Sequence, residues 1–232
     1  MFAKDVSVRF PQRFDVARLN QDLVTSERFE FAAHPLRYHD GTWTAINLYY
    51  AGGKTQYTHE GELGYGEEPA APTEVLAACP YFQEVLASLP GRIIMARLSA
   101  LPPGGRILRH YDPVESADFG QLRLHIPIRS EPEKVIFHLG FRRQYWRAGE
   151  LWYGDFSFPH SVHNTADYTR VSMIIDIADL EPYRECFPPE YFSAESVARR
   201  GRWRDEMRSW SWRFDRVKEK WRKIVARDDK AA

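Results

Sequence analysis

The chain alternates between stretches of helical period and stretches of strand period. Val16, Leu19 and Leu23 recur at helical spacing behind Asp15, which predicts a short helix from Asp15 to Leu23 with Asp15 as its cap. Phe29-Glu30-Phe31 and, beyond Asp40-Gly41, the run from Thr42 to Tyr50 are rich in aromatic and β-branched residues and read as strands. Residues 51 to 72 carry Gly52-Gly53, Gly61, Gly64, Gly66, Pro69 and Pro72 without periodicity, the pattern of a loop that could cover a site. Two short helices follow, Thr73 to Ala78 and Tyr81 to Leu89, broken at Pro80 and stopped by Pro90-Gly91. Strands then come quickly at Arg92 to Leu101, Gln121 to Arg129, Lys134 to Leu139, Glu150 to Tyr153 and Thr169 to Ile177. Short strands with turn-rich spacers and no interleaved helices predict an antiparallel sandwich or barrel instead of a parallel sheet.

After Pro188-Pro189 the period returns to that of a helix. Trp203, Met207, Trp210, Phe214, Val217, Trp221 and Ile224 form an apolar seam on an otherwise charged stretch. Such a seam must be covered, either by lying across the barrel or by a homodimer or partner-helix interface. The expected organisation is a body over residues 1–190 and a basic, Trp-rich helical extension over residues 191–232.

Composition changes this picture in few places. The 232 residues fit one domain with an appendage, and an aromatic content of 14% favours a rigid interior over disorder. No apolar run approaches the roughly twenty residues of a membrane helix, and the first residues lack the apolar core of a signal peptide, so a soluble, cytoplasmic protein is expected. Cys79 and Cys186 stand far apart, without the paired spacing of a zinc or redox motif, and are expected as reduced thiols. Net charge is zero, but residues 194–232 hold thirteen Lys/Arg against seven Asp/Glu. No nucleic-acid recognition motif accompanies that basic tail, so neither nucleic acid nor membrane is expected as a partner.

The candidate chemistry is concentrated between Ser99 and Asp176. In Arg109-His110-Tyr111-Asp112 an imidazole and a carboxylate stand two residues apart, and on an extended backbone alternate side chains share a face. A second imidazole, His160 or His163, follows in Phe158-Pro159-His160-Ser161-Val162-His163. Two imidazoles and one carboxylate with open coordination positions suit non-haem Fe(II) better than zinc or calcium. In Leu122-Arg123-Leu124-His125-Ile126, Arg123 and His125 share one face and the aliphatic residues the other, while Arg170 opens the apolar strand Val171 to Ile175. A guanidinium inside a sheet needs an anion, either a protein carboxylate or a dicarboxylate ligand.

Together these strings resemble the aspartyl/asparaginyl β-hydroxylase family of Fe(II)/2-oxoglutarate dioxygenases, which includes bacterial proline cis-hydroxylases. The resemblance runs over Ser99 with Pro103-Gly104, Arg109-His110-Tyr111-Asp112-Pro113, Leu122 to Pro127, Gly149-Glu150-Leu151-Trp152, and Phe158-Pro159-His160 with Arg170 ten residues on. It implies a double-stranded β-helix (jelly-roll, cupin-like) with His110, Asp112 and His160 as iron ligands, the family spacing favouring His160 over His163. It also implies Arg170 and Ser99 on the distal carboxylate of 2-oxoglutarate, and Arg123 with His125 at the end of that cosubstrate near the metal. The implied activity is O2-dependent hydroxylation of an unactivated carbon of an amino acid, free or within a peptide or metabolite, with release of succinate and CO2. A hydroxylase acting on a lipid and a non-enzymatic cupin-like binding protein are the alternatives.

Overall fold

The computed structural model describes residues 6–35, 38–56 and 68–210. The elements in order are β1 (Ser7–Arg13), α1 (Val16–Ser26), β2 (Ala32–Ala33), β3 (Thr44–Ala51), β4 (Ala70–Pro72), α2 (Glu74–Ala77), α3 (Pro80–Ser88), β5 (Ile93–Leu101), β6 (Arg106–His110), β7 (Leu122–Arg129), β8 (Val135–Leu139), β9 (Arg142–Gln144), β10 (Glu150–Gly154), β11 (His160–Asn164) and β12 (Arg170–Ile177). A further helix, α4, occupies residues 194–210.

The strands form two antiparallel sheets. The larger runs β1-β10-β7-β12-β5-β3-β2, with β4 also paired to β3, and the smaller runs β6-β11-β8-β9. This is the mainly β, antiparallel arrangement that the strand pattern predicts, and it has the jelly-roll form that the resemblance implies. Strand alternation decides what each face of the large sheet meets. Leu122, Leu124 and Ile126 of β7 and Val171, Met173 and Ile175 of β12 join Leu19, Leu23, Phe82, Val85 and Leu98 in one buried cluster, so the outer face packs under α1 and α3. Fully burying each such side chain contributes about 1.5–3 kcal/mol. The opposite residues, Arg123, His125, Arg170, Ser172 and Asp176, are also buried but polar, and they face the space between the sheets. A second apolar cluster, with Trp43, Ile107, Phe137, Trp146, Phe156 and Val162, fills the rest of that space.

Helix α1 begins as expected: the Asp15 carboxylate accepts hydrogen bonds from the backbone N–H of Ala17 and Arg18. Gly149, in the turn before β10, has φ +74, and a Cβ there would stand 2.5 Å from the carbonyl oxygen of Phe14, so only glycine fits. Several expectations change. Phe29–Phe31 is not a strand; pairing starts at Ala32. The sequence pattern does not predict β1, β6, β9 or β11, and β4 falls within the stretch expected as a loop; β6 and β11 escape the pattern because each carries charged or polar residues on an outward face. Helix α4 does not dock by its tryptophans: Trp203 and Trp210 are 36% and 49% exposed, while Arg200 and Arg204 are buried. The seam residues Phe214, Val217, Trp221 and Ile224, and residues 57–67 of the loop expected over 51–72, lie outside the described residues. Among the described residues no helix is long and apolar enough to cross a membrane.

Candidate active site

His110 is the last residue of β6 and His160 the first of β11, and the two are direct partners across the strand pair. Their ring centroids lie 4.1 Å apart. Asp112 follows two residues beyond β6, held by its backbone N–H on the Phe156 carbonyl at 2.9 Å. Its Oδ1 lies 3.8 Å from His110 Nε2 and its Oδ2 4.0 Å from His160 Nε2. Ligand atoms of all three buried residues fall within 4.8 Å of one another. His163, three positions along β11, does not join them: Val162 packs into the inner cluster, which turns Ser161 and His163 to the other face.

Hydrogen bonds at the back of each imidazole fix how these groups can act. His110 Nδ1 meets the Leu108 carbonyl at 2.7 Å and His160 Nδ1 meets that of Phe158 at 3.0 Å, so each Nδ1 carries its proton as a donor. Each Nε2 then presents its lone pair toward Asp112, the orientation a metal ligand needs. Burial, reinforced by the His110 imidazole, pushes the His160 pKa down to about 3, leaving a neutral ring at neutral pH. For Asp112 burial acts to raise the pKa, but the Arg123 guanidinium and the two imidazoles outweigh it and hold the carboxyl below its usual range. Two imidazole nitrogens and one carboxylate oxygen on one side of a cavity match the donor set expected of a two-histidine, one-carboxylate iron site.

Of the two partners open to a guanidinium inside the sheet, Arg123 takes protein carboxylates. Its Nε and Nη2 donate to the two oxygens of Asp176 at 2.7 and 2.8 Å, Nη1 donates to Asp112 Oδ2, and Nη2 also reaches Glu115 Oε1 at 3.2 Å. Four of its five N–H groups are thereby directed at protein carboxylates, which makes Arg123 chiefly the holder of Asp112. Burial raises the pKa of Glu115, with Asp112 adding to the effect and Arg123 opposing it. Asp176 and Glu115 are partners of Arg123 that sequence reasoning missed. A lone carboxylate inside the aliphatic run Met173 to Ile177 was the available signal for Asp176, whereas nothing marks Glu115.

Arg170 stands in contrast. It is 4% exposed, its Nε has no hydrogen-bond partner, and among the described residues no carboxylate pairs with it. Burial lowers its pKa to about 10, so the buried group still carries its charge at neutral pH. An uncompensated guanidinium in a cavity wall costs several kcal/mol and is the chemical signature of an anion site. Ser99 lies on the neighbouring strand, opposite Ser172, and its hydroxyl accepts from Trp43 Nε1 at 2.8 Å, leaving its own proton to donate. His125 is kept neutral by burial together with Arg170 and Arg123; its ring stacks on Phe156 at 4.7 Å and its Nε2 is unpartnered. Ser99, His110, Asp112, Arg123, His125, His160 and Arg170 all line one cavity.

The other residues that could form a pocket wall divide. Trp146 is an interior packing residue whose Nε1 donates to Ser7 Oγ at 3.1 Å, and Arg143 donates to the carbonyls of Pro132 and Glu133 at 3.1 Å. Tyr49 packs against the helix-side cluster. Asn47 pairs in register with Arg97, is fully buried, and leaves both side-chain amide atoms without a partner, so it retains hydrogen-bonding capacity.

The sequence profile of the family described as Aspartyl/Asparaginyl beta-hydroxylase matches residues 14–179. The chain is 29% identical over 182 residues to L-proline cis-3-hydroxylase 1 of a Streptomyces species, covering 71% of this chain and 57% of that protein. It is 27% identical over 172 residues to L-proline cis-4-hydroxylase of Rhizobium meliloti (strain 1021), covering 71% of this chain and 58% of that protein. The chain thus spans a little under three fifths of the length of these curated relatives. Its fold is similar to that of the non-heme alpha ketoglutarate dependent carbocyclase SnoK from nogalamycin biosynthesis, with a TM-score of 0.51 at 13% identity over 77% of this chain and 81% of that one. The family profile covers most of the chain and includes every residue of the cavity described above, and the chain therefore belongs to the aspartyl/asparaginyl β-hydroxylase family.

Proposed function

We propose that this chain is an Fe(II)/2-oxoglutarate-dependent dioxygenase that hydroxylates an unactivated carbon of an amino acid, free or within a peptide or metabolite. The observation that carries the reading is one cavity holding both a two-histidine, one-carboxylate donor set and a buried Arg170 guanidinium with no protein counter-ion among the described residues. His110 Nε2, Asp112 and His160 Nε2 would hold the iron. Arg170 and Ser99 would hold the distal carboxylate of 2-oxoglutarate, with His125 and the remaining N–H of Arg123 at its other end. When bound, iron and 2-oxoglutarate supply the oxidising power, drawing on O2 and releasing succinate and CO2.

The protein's part is positioning and charge. Arg97, Arg123 and Arg170 around the cavity are matched by Asp112, Glu115 and Asp176, so a dication and a dianion enter as a neutral pair and each favours the other's binding. Phe137, Phe156 and Val162 close the cavity wall with apolar surface, which excludes water from the reacting centre. The two-sheet body is read as a double-stranded β-helix, with residues 1–190 as the catalytic unit and 191–232 as its extension. The free thiols Cys79 and Cys186 fit a reducing compartment, the cytoplasm.

The two curated relatives named above carry L-proline in their names, so free L-proline heads the substrates to test. With Fe(II), 2-oxoglutarate and O2, succinate is expected to form in step with a hydroxylated product for one amino acid in a panel that also contains peptides and lipid precursors. No succinate with any of them, together with no iron bound, would overturn the reading in favour of a non-enzymatic binding protein.

A further inference from the structure

Helix α4 meets the body through arginines. Arg200, Arg204 and Arg208 stand at four-residue intervals and form one stripe along the helix. Arg200 pairs with Asp118 through Nη2 and through Nε at 3.1 Å, and its Nη1 donates to the Tyr191 carbonyl at 2.8 Å. Arg204 Nη2 donates to Asp118 Oδ2 at 2.8 Å and to Asp155 Oδ2 at 3.2 Å. Arg208 Nε donates to the Ser157 carbonyl at 3.0 Å, and its guanidinium lies 4.4 Å over the Tyr111 ring.

Apart from the Arg200 contact to Tyr191, which lies just before α4, these contacts fall on two segments. Tyr111 and Asp118 belong to the connection between β6 and β7 that carries Asp112 and Glu115. Asp155 and Ser157 belong to the connection between β10 and β11 that delivers His160. The two connections touch through the Asp112 N–H on the Phe156 carbonyl at 2.9 Å and through Ser116 Oγ on Asp155 Oδ2 at 3.0 Å. Each crosses from one sheet to the other, so the spacing of Asp112 and His160 is not set by either sheet alone.

We propose that the Arg200, Arg204 and Arg208 stripe is a clasp that holds these two connections together and so fixes the separation of Asp112 from His160, making α4 a positioning element of the metal site. The inference rests on the reading of His110, Asp112 and His160 as a metal site. If α4 only covered apolar surface, its tryptophans would be the residues turned inward; instead Arg200 and Arg204 are 2% and 5% exposed and Trp203 is 36% exposed. Buried ion pairs contribute little net stability because desolvation offsets their attraction, but they fix geometry tightly. A metal site needs its donors placed to within about 0.5 Å, which is what such pairs provide.

Two variants of the full chain test the clasp. Arg208→Ala removes the contacts to Ser157 and Tyr111 without stranding a buried carboxylate, and Arg204→Lys keeps the charge while losing the fork that reaches both Asp118 and Asp155. Co(II) affinity is measured by calorimetry, and amide exchange is measured on the metal-free protein. The expected result is Co(II) binding weaker by about tenfold, with faster exchange in residues 111–121 and 155–159 while β12 keeps wild-type protection. A folded Arg208→Ala protein with wild-type Co(II) affinity and unchanged exchange in those segments overturns the proposal, and that variant decides alone if Arg204→Lys does not fold. Failure of the wild-type chain to bind Co(II) would instead sink the metal-site reading, and exchange in the metal-free protein would still decide whether α4 holds the two connections.

Discussion

Replacing His160 by alanine is expected to weaken Co(II) or Fe(II) binding by more than roughly a hundredfold, beyond the range seen for outer-shell partners, while the metal-free protein still folds. The ring supplies one of the donors, and His163, the other imidazole of β11, cannot take its place. His163 faces away from the cavity, and moving it inward would require β11 to slip by one residue against both β6 and β8, turning Val162 out of the inner cluster. In the metal-free state His160 is a neutral ring whose one hydrogen bond among the described residues is to the Phe158 carbonyl, so its loss costs about 1–3 kcal/mol of stability. Calorimetric titration of the folded variant checks this, and an unchanged affinity would mean that other groups hold the metal.

Arg123→Met is expected to destabilise the chain by about 3–5 kcal/mol, since it strands buried carboxylates without their cation. Asp112, Glu115 and Asp176 are each buried, and all three converge on this one guanidinium. For a chain of this length such a loss lowers Tm by roughly 6–20 °C. Adding Asp176→Leu should recover part of it, because removing both members of a buried pair costs less than removing one. Urea unfolding of the single and double variants measures both effects. A single variant as stable as wild type would show that the carboxylates are protonated in the folded state and need no cation.

Much of this molecule is legible from residue order, and the failures share a cause. Strands β5, β7 and β12 are runs of aliphatic residues buried on one face, and the placement of Arg123 and His125 opposite Leu122 and Leu124 follows from strand alternation alone. Strands β6 and β11 were missed because Arg106-Ile107-Leu108-Arg109-His110 and His160-Ser161-Val162-His163-Asn164 carry only one or two apolar inward positions. The choice between His160 and His163 depends on the pleat and register, which composition does not reveal. Partners distant in sequence were also out of reach: Asp176 lies 53 residues from Arg123, and Asp118 lies 82 from Arg200. In α4 the apolar seam docks only in part: Met207 packs against the inner apolar cluster, whereas Trp203 and Trp210 stay 36% and 49% exposed and the buried Asp118 and Asp155 carboxylates draw Arg200 and Arg204 inward.

The central claim is that the His110, Asp112 and His160 donor set and the Arg170 guanidinium together bind a metal and a diacid as one charge-balanced unit. Anaerobic titration of 2-oxoglutarate into the wild-type chain and into Arg170→Met, each with and without Fe(II), tests it most directly. The predicted result is one 2-oxoglutarate per wild-type chain, dependent on Fe(II), and loss of that binding in Arg170→Met while iron is retained. Binding of 2-oxoglutarate that is indifferent to iron, or as tight without the guanidinium as with it, would contradict the account.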